Sequence, residues 1–530
     1  MTRQRSLRIK LRILNASVLF LAVLAVLTLL AGSAIAENPV PFTNQPLVPD
    51  ATAPGGAKFT LTVNGTGFVA GSVVNWNGSP RATTFVSSAQ LKATILASDI
   101  TTTSTAAVTV VSPGPGGGVS NPQFFSIAVA EASVSFLPPA TYDTGGENPS
   151  SVAIADVDGD GKLDVIVANQ SGQMNGAGSV AVLLGNGHGT FQAPVDYDAG
   201  MILASSLIVT DVNGDGKLDI VVVGGCSTFQ ECSTDGVVGV LLGKGDGTFK
   251  PAVTYSSGGV TAASVAAADV NGDGRLDLLV SNQCADFSCA NGSVGVLLGN
   301  GDGTFQPAVA YSSGGYLAGG VAVADVSGDG KLDVVVTNFC PTRTPCNNYS
   351  YVDGNVGVLL GNGDGTFNAV VVYDAGGTST MSVAIADVSG DGKLDLLTAN
   401  CGLDSCGPAR PGGTVGVLLG NGDGTFHPAV SYGAANGPIS IAIADMNGDG
   451  KQDAVVANWG TSENPPTNNG AGGVLLGNGD GTFQPVQTYL SGGNEATSVA
   501  VADLTGAGRP DIAGRGHALD HCRVSGFSHL

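Results

Sequence analysis

From about residue 131 the chain alternates short apolar runs with turn residues, and the alternation itself repeats. One full unit reads SLIVTD (206–211), LDIVVVG (218–224), GVVGVLLG (236–243) and TFKPAVTY (248–255). These are four strand-length, β-branched runs bounded by Gly, Asp and Asn. The unit is marked by an Asp at 156, 211, 269, 325, 387, 445 and 503, with spacings of 55, 58, 56, 62, 58 and 58 residues. Four short strands per unit predict an antiparallel meander. A single meander cannot bury both of its apolar faces, so the units must stack. Stacking around an axis gives a β-propeller of seven blades; a linear stack of β units is the alternative. The stretch FLPPATY (136–142) matches a fourth strand with no first three before it, so it is expected to complete the last blade and pair the two ends. The tail GRGHALDHCRVSGFSHL (514–530) lacks the strand expected after 511, which leaves that blade incomplete on this reading and residues 512–530 a divergent tail.

Residues 37–130 follow a different pattern. Alternating runs such as KFTLTVNG (58–65), GSVVNWNG (71–78) and AAVTVVSP (106–113), separated by turns and nearly free of acids, predict a small β-sandwich. The fold class is therefore all-β, a sandwich followed by a propeller over 131–511. The first 36 residues belong to neither. Arg3, Arg5, Arg8, Lys10 and Arg12 precede an apolar stretch and the small-x-small site Ala34-Ile35-Ala36, the pattern of a cleaved export signal, with an uncleaved anchor as the alternative.

Composition narrows the function. The formal charge of −22 argues against nucleic acid and against an anionic membrane surface. Residues 1–36 hold five positive charges and no acids, so the chain after them stands at −27. Eight of the nine cysteines form close pairs after apolar strands: Cys226 with Cys232, Cys284 with Cys289, Cys340 with Cys346, and Cys401 with Cys406. With no CxxC spacing, local disulfides in an oxidising compartment suit them better than zinc. Cys522 is left over.

About half of the acids, 21 of 43, fall in seven copies of one nine-residue loop, such as DVNGDGRLD (269–277). Turn preference explains Asp, Asn and Gly, but not acids held at positions 1, 5 and 9 in six copies. Oxygens at positions 1, 3, 5 and 9, with the backbone carbonyl of position 7, make a cage for a hard cation, and the charge and irregular shape favour Ca²⁺. An EF-hand would need an acid at position 12, where Val280 stands. The expected ligands are Asp156, Asp158, Asp160, Lys162 and Asp164 in loop one, and Asp211, Asn213, Asp215, Lys217 and Asp219 in loop two. Loop three offers Asp269, Asn271, Asp273, Arg275 and Asp277; loop four Asp325, Ser327, Asp329, Lys331 and Asp333. Loop five offers Asp387, Ser389, Asp391, Lys393 and Asp395; loop six Asp445, Asn447, Asp449, Lys451 and Asp453. The Lys and Arg residues enter only through their carbonyls. Loop one, with four acids, is expected to bind most tightly. Loop seven, DLTGAGRPD (503–511), has Ala507 at position 5 and is a poor site.

A second phrase, LLGNGDGTF (297–305), recurs with copies ending at Phe191, Phe249, Phe367, Phe426 and Phe483. Its Asn-Gly and Asp-Gly steps predict hairpin turns, and its Phe is expected between blades. A second cation site at these turns is the alternative. Together, ADVNGDGRLDLLV and LLGNGDGTF resemble the FG-GAP/VCBS repeats, related to the integrin α-subunit propeller. The resemblance implies a seven-bladed propeller with Ca²⁺ in its loops, serving extracellular adhesion or ligand recognition. It names no ligand. APGGAKFTLTVNGTGFVAGSVVNWNG and GGGVSNPQFFSI resemble the IPT/TIG family of immunoglobulin-like domains, which implies a spacer or interaction module.

In a four-stranded meander the first and third turns share one face, so the acidic loops and the GNGDGTF turns lie together and the cysteine-paired loops lie opposite. Those second turns are long and differ between blades, as a recognition surface would. Phe287, Arg343, Tyr349, Tyr351, Arg410 and Trp459 are its candidate contacts, because aromatics and Arg dominate binding hot spots. The expected partner is an extracellular protein or glycan. No GxSxG, HExxH or P-loop pattern marks an enzyme. A carbohydrate-active propeller enzyme and a purely structural surface protein are the alternatives. His517, His521 and His529 with Cys522 form one further conceivable metal cluster.

Overall fold

The computed structural model describes residues 38, 41–49, 51–114, 117–120, 122–172, 177–226, 236–343, 353–402, 412–460, 469–516 and 523–527. Seven four-stranded antiparallel sheets follow one another around an axis. The first six blades are consecutive in the chain; blade three, for example, comprises Val260–Ala268, Asp277–Cys284, Ser293–Leu297 and Val309–Ser312. First strands of neighbouring blades touch one another, so they line the axis, and fourth strands form the rim.

Burial follows from that placement. Second and third strands have a blade against each face, and strands such as Asp333–Cys340 and Ser293–Leu297 are apolar or small at almost every position. A strand buried on both faces reads as a continuous apolar run. Fourth strands have a neighbour on one face only and are mostly exposed, as at Val309–Ser312.

Seven apolar clusters fill the seven seams between blades. Each seam holds one edge-to-face aromatic pair. Tyr197 meets Phe249 at 5.4 Å, Tyr255 meets Phe305 at 5.6 Å and Tyr311 meets Phe367 at 5.4 Å. Tyr373–Phe426, Tyr432–Phe483 and Tyr142–Phe191 repeat the geometry. Such a pair contributes about 0.5–1.5 kcal/mol beyond the area it buries. In every case the Tyr comes from the fourth strand of one blade and the Phe from the GTF turn of the next. At the remaining seam Tyr489 packs against Phe136, their planes at 81°. Phe136 precedes Tyr142 by the same six residues that separate Phe249 from Tyr255, so the FLPPATY stretch supplies the missing copy.

The ring closes. Val499–Ala502, Asp511–Gly516 and Arg523–Phe527 form three strands of blade seven, and Ala140–Asp143 adds the fourth, with Ala140 opposite Gly526. This corrects the reading of 512–530 as a divergent tail that leaves the blade incomplete: Arg523–Phe527 is the third strand. Its short RVSGF run carries a weak strand signal, and pairing on both edges overrides it.

Ahead of the ring stands a two-sheet sandwich. One sheet comprises Phe42–Val48, Phe59–Thr66, Gln90–Ile95 and Thr83–Ser87, and the other is built around Ser104–Ser112, with Gln123–Ile127 and Val73–Trp76 on its two sides. Leu61, Leu91 and Ile95 of the first sheet meet Trp76, Val108 and Phe125 of the second in one core. The sandwich stands on the propeller face that carries the nine-residue loops. A cleft of about 500 Å³ lies between Asn77, Thr105 and Phe124 on one side and Asp156, Asp211 and Asp503 on the other. Pro122, Gln123 and Phe124 also cover the end of the axis, above Ile154, Val209, Ala442 and Val501. No helix among the described residues is long and apolar enough to cross a membrane.

Candidate metal centre

Each nine-residue loop leaves the end of a first strand and must return within reach of the second. Position 1 drives the turn. In loop three Asp269 accepts hydrogen bonds from the Gly272 amide (2.7 Å, to Oδ1) and the Gly274 amide (2.8 Å, to Oδ2). Both glycines sit at positive φ, 72° and 88°, where a side chain would be strained. Asp211 and Asp445 fold their loops in the same way.

Position 9 has another role, which the spacing alone does not reveal. Asp277 is fully buried; its Oδ2 accepts the Val270 amide at 3.0 Å and its Oδ1 the Gly299 amide at 2.8 Å. Gly299 opens the GNGDGTF turn, so one carboxylate ties the first turn of a blade to the third. Asp164, Asp219, Asp333, Asp395 and Asp453 make the same clamp onto Gly185, Gly243, Gly361, Gly420 and Gly477. The first and third turns therefore share one face. A Cβ on Gly299 would meet the Leu276 carbonyl at 2.1 Å, which explains the repeated LLG.

These clamp carboxylates are poorly solvated. Burial pushes Asp219 and Asp277 up to about 7, against the pull of their two amide hydrogen bonds, and neighbouring acids at positions 1 and 5 add to the rise. Asp164 and Asp333 rise to about 6 for the same first reason. An acid in this state favours a proton or a cation beside it.

In loop one the oxygens of Asp156, Asp158 and Asp164 all lie within 4.8 Å of one another. The fourth acid, Asp160, does not join them: its carboxylate turns outward to Lys162 Nζ at 2.5 Å. Asp215, Asp329, Asp391 and Asp449 likewise face Lys217, Lys331, Lys393 and Lys451 at 3.1–3.8 Å. These pairs are largely exposed, and such pairs hold by about 1 kcal/mol or less, so a divalent cation can displace them. At position 3, the Asn213 and Asn271 oxygens accept the Asp215 and Asp273 amides, while Ser327 and Ser389 donate to Asp325 and Asp387 at 3.4 Å. The side-chain donor set is oxygen throughout, with no nitrogen or sulfur, which fits a hard cation.

The GNGDGTF acids are occupied otherwise. Asp302 accepts both the amide of Thr304 (3.0 Å) and its hydroxyl (2.5 Å), and these bonds lower its pKa. Its role is to form the turn.

On the opposite face Cys284 and Cys289 form a disulfide, and Phe287 beside it is 64% exposed. Of the four expected bridges, this is the one whose two cysteines both lie among the described residues. Cys232, Cys346 and Cys406 fall outside them, so the expected pairings of Cys232 with Cys226, of Cys346 with Cys340 and of Cys406 with Cys401 are not shown. Cys340 and Cys401 themselves are disulfide-bonded. The Arg343 guanidinium donates to the Ser288 carbonyl, joining blade four to the bridged loop of blade three. Trp459 departs from its expected place in a variable loop. It lies within the second strand Asp453–Gly460, half-buried, with Nε1 buried. Tyr349, Tyr351, Arg410, the export signal, the tail histidines and Cys522 also fall outside the described residues.

Sequence reasoning passed over one further group. Asn169, Asn282, Asn338, Asn400 and Asn458 are buried in the second strands, five residues after the clamp Asp. The Asp-x4-Asn spacing was the available signal.

Comparison with known proteins agrees with this geometry. A sequence profile described as an FG-GAP-like repeat matches residues 156–222, 211–280, 285–336, 349–398, 407–456 and 463–514. Cartilage acidic protein 1 of Homo sapiens is 27% identical over 292 residues, and its Mus musculus counterpart 26% over 295. Each match covers 50% of this chain and 41–42% of the relative, so the chain spans less than half the length of either. Among solved structures, BBS1N in complex with ARL6DN covers 74% of this chain and 97% of its own, at 9% identity and a TM-score of 0.45. A putative phosphatase from Bacteroides thetaiotaomicron covers 93% and 97%, at 10% identity and 0.38. Both likenesses are too distant to carry a functional argument.

Proposed function

Because the chain belongs to the FG-GAP-like repeat family, whose profile covers most of its propeller, we propose that it is an exported, calcium-stabilised recognition module. The observation that carries this reading is the convergence of Asp156, Asp158 and Asp164 in loop one, the last of them the buried clamp carboxylate that burial pushes up to about 6. Asp156, Asp158 and Asp164 would hold the ion first. Asp160 and the Lys162 carbonyl would join once the Lys162 side chain is displaced. Loops two to six would bind through the corresponding residues, more weakly where Ser replaces the acid at position 3. The ion would supply charge neutralisation and no chemistry: it would fix the first and third turns of each blade and so hold the opposite face rigid.

That opposite face is the proposed binding surface. The metal-loop face is partly covered by the chain's own sandwich, whereas the bridged loop around Phe287 lies open. The sandwich, which resembles the IPT/TIG domains, would serve as a spacer. A protein or glycan outside the cell is the partner class this arrangement suits, with binding rather than catalysis as the role.

The test is thermal unfolding of residues 37–530 in calcium and in chelator, with bound ions counted on the same sample. About five or six ions and a melting temperature at least 10 °C higher in calcium are expected, since ligand binding to the native state stabilises it by mass action. No bound calcium and superimposable melts would sink the proposal.

A further inference from the structure

We propose that the seventh nine-residue loop is a latch that holds the N-terminal sandwich against the propeller, making the metal-loop face an intramolecular interface. The inference stands on the packing of loop seven and does not depend on calcium in the other loops.

Loop seven keeps its fold without the full acid set. Asp503 still accepts the Gly508 amide at 2.8 Å, and Asp511 still accepts the Leu504 amide at 2.9 Å. The acid at position 5 is replaced by Ala507. What the loop touches is different. Position 6 is glycine in every copy, and a Cβ at Gly161, Gly216, Gly330, Gly392 or Gly450 would meet nothing within 4 Å. At Gly508 the same Cβ would meet Ser104 of the sandwich at 2.5 Å from its backbone N and 2.7 Å from its Cα. The sandwich backbone has moved into the space that stays open beside those five copies.

Two polar contacts accompany the close approach. The buried Ser126 hydroxyl donates to the Gly508 carbonyl at 3.0 Å. Arg509, at position 7, reaches Glu131 with Nη2 to Oε1 at 2.6 Å. A third bond, from the Glu131 amide to the Asn447 carbonyl at 2.8 Å, anchors the same segment on loop six. The position that carries a lysine paired to its own loop's acid in most copies is turned in loop seven toward the connection by which the chain leaves the sandwich.

The experiment compares Gly508→Ala with Gly392→Ala in the full chain. Both place Ala at a φ above +80°, so both strain their loops equally, but only Gly508→Ala collides with the sandwich. Gly508→Ala is expected to increase the maximum dimension in small-angle scattering and to speed proteolysis of the 128–139 connection about threefold or more, because cleavage tracks the undocked population. Gly392→Ala is expected to change neither. Arg509→Glu should act in the same direction, with Glu131→Arg restoring the compact form in the double variant. If Gly508→Ala leaves scattering and cleavage unaltered, if Gly392→Ala changes them as much, or if the charge swap fails to restore docking, the latch is wrong.

Discussion

Asn458 buries both atoms of its side-chain amide with no hydrogen-bond partner among the described residues. Its counterparts are satisfied from the link that enters their blade: Asn282 by the Ser257 hydroxyl at 2.5 Å, Asn338 by Ser313 at 2.5 Å, Asn169 by Thr144 at 3.1 Å. Where Asn458 needs that hydroxyl the chain has Ala434, fully buried. An unmade buried hydrogen bond costs about 1–3 kcal/mol, and supplying it recovers about 1. Ala434→Ser should therefore raise the melting temperature by about a degree or more. Ala199→Ser, at the equivalent site facing Gly224, should not, because no amide waits there. Equal shifts in the two variants would refute the assignment. The five asparagines were legible as a repeated spacing. The partners of Asn169, Asn282 and Asn338 were not, because each lies 25 residues upstream in the link that enters the blade, close only once that blade has folded.

At the scale of the element, the nine-residue loop behaves as one unit whose acids have unequal duties. Position 1 folds the loop, position 9 clamps it to the third turn, and position 5 faces solvent beside a lysine. Spacing made the loop legible as one cluster of acids and oxygens; it could not rank the acids, since burial is decided by the neighbouring turn. The ranking has a pH signature. Asp219 and Asp277, raised to about 7 from an ordinary value near 4, keep their protons in the folded metal-free chain at pH values where the unfolded chain has lost them. Folding then takes up protons between about pH 4 and 7, so stability falls as pH rises through that window. In chelator the protein should melt higher at pH 5 than at pH 7.5. In calcium the order should reverse, because protons and the ion compete for the same oxygens. Differential scanning calorimetry at both pH values checks this; a chelated protein more stable at pH 7.5 would overturn it.

At the scale of the whole molecule, stability is distributed over seven equivalent seams, but one is made differently. In six seams the Phe comes from the third turn of the next blade; at the seam between blades six and seven it is Phe136, from the segment before blade one, although Gln487–Asn494 leads directly into Val499–Ala502. Removing a half-buried Phe costs about 2–4 kcal/mol. Phe136→Ala should therefore speed hydrogen exchange at 140–143 and 523–527, while Phe305→Ala should loosen blades two and three and leave the closing strands protected. Uniform loosening in both variants would argue against a distinct closure. Blade number and the identity of the closing strand were legible from the repeat and from FLPPATY. The third strand of blade seven was not, because RVSGF has little pattern of its own and owes its conformation to the strands on either side. That arrangement also sets a clock. Ala140 pairs with Gly526, roughly 390 residues later in the chain. At about 5–20 residues per second of synthesis, the first closing strand waits roughly 20–80 seconds for its partner. Through that interval the strand and Phe136 stand unpaired. The nascent chain thus carries an open edge until Arg523–Phe527 has been made.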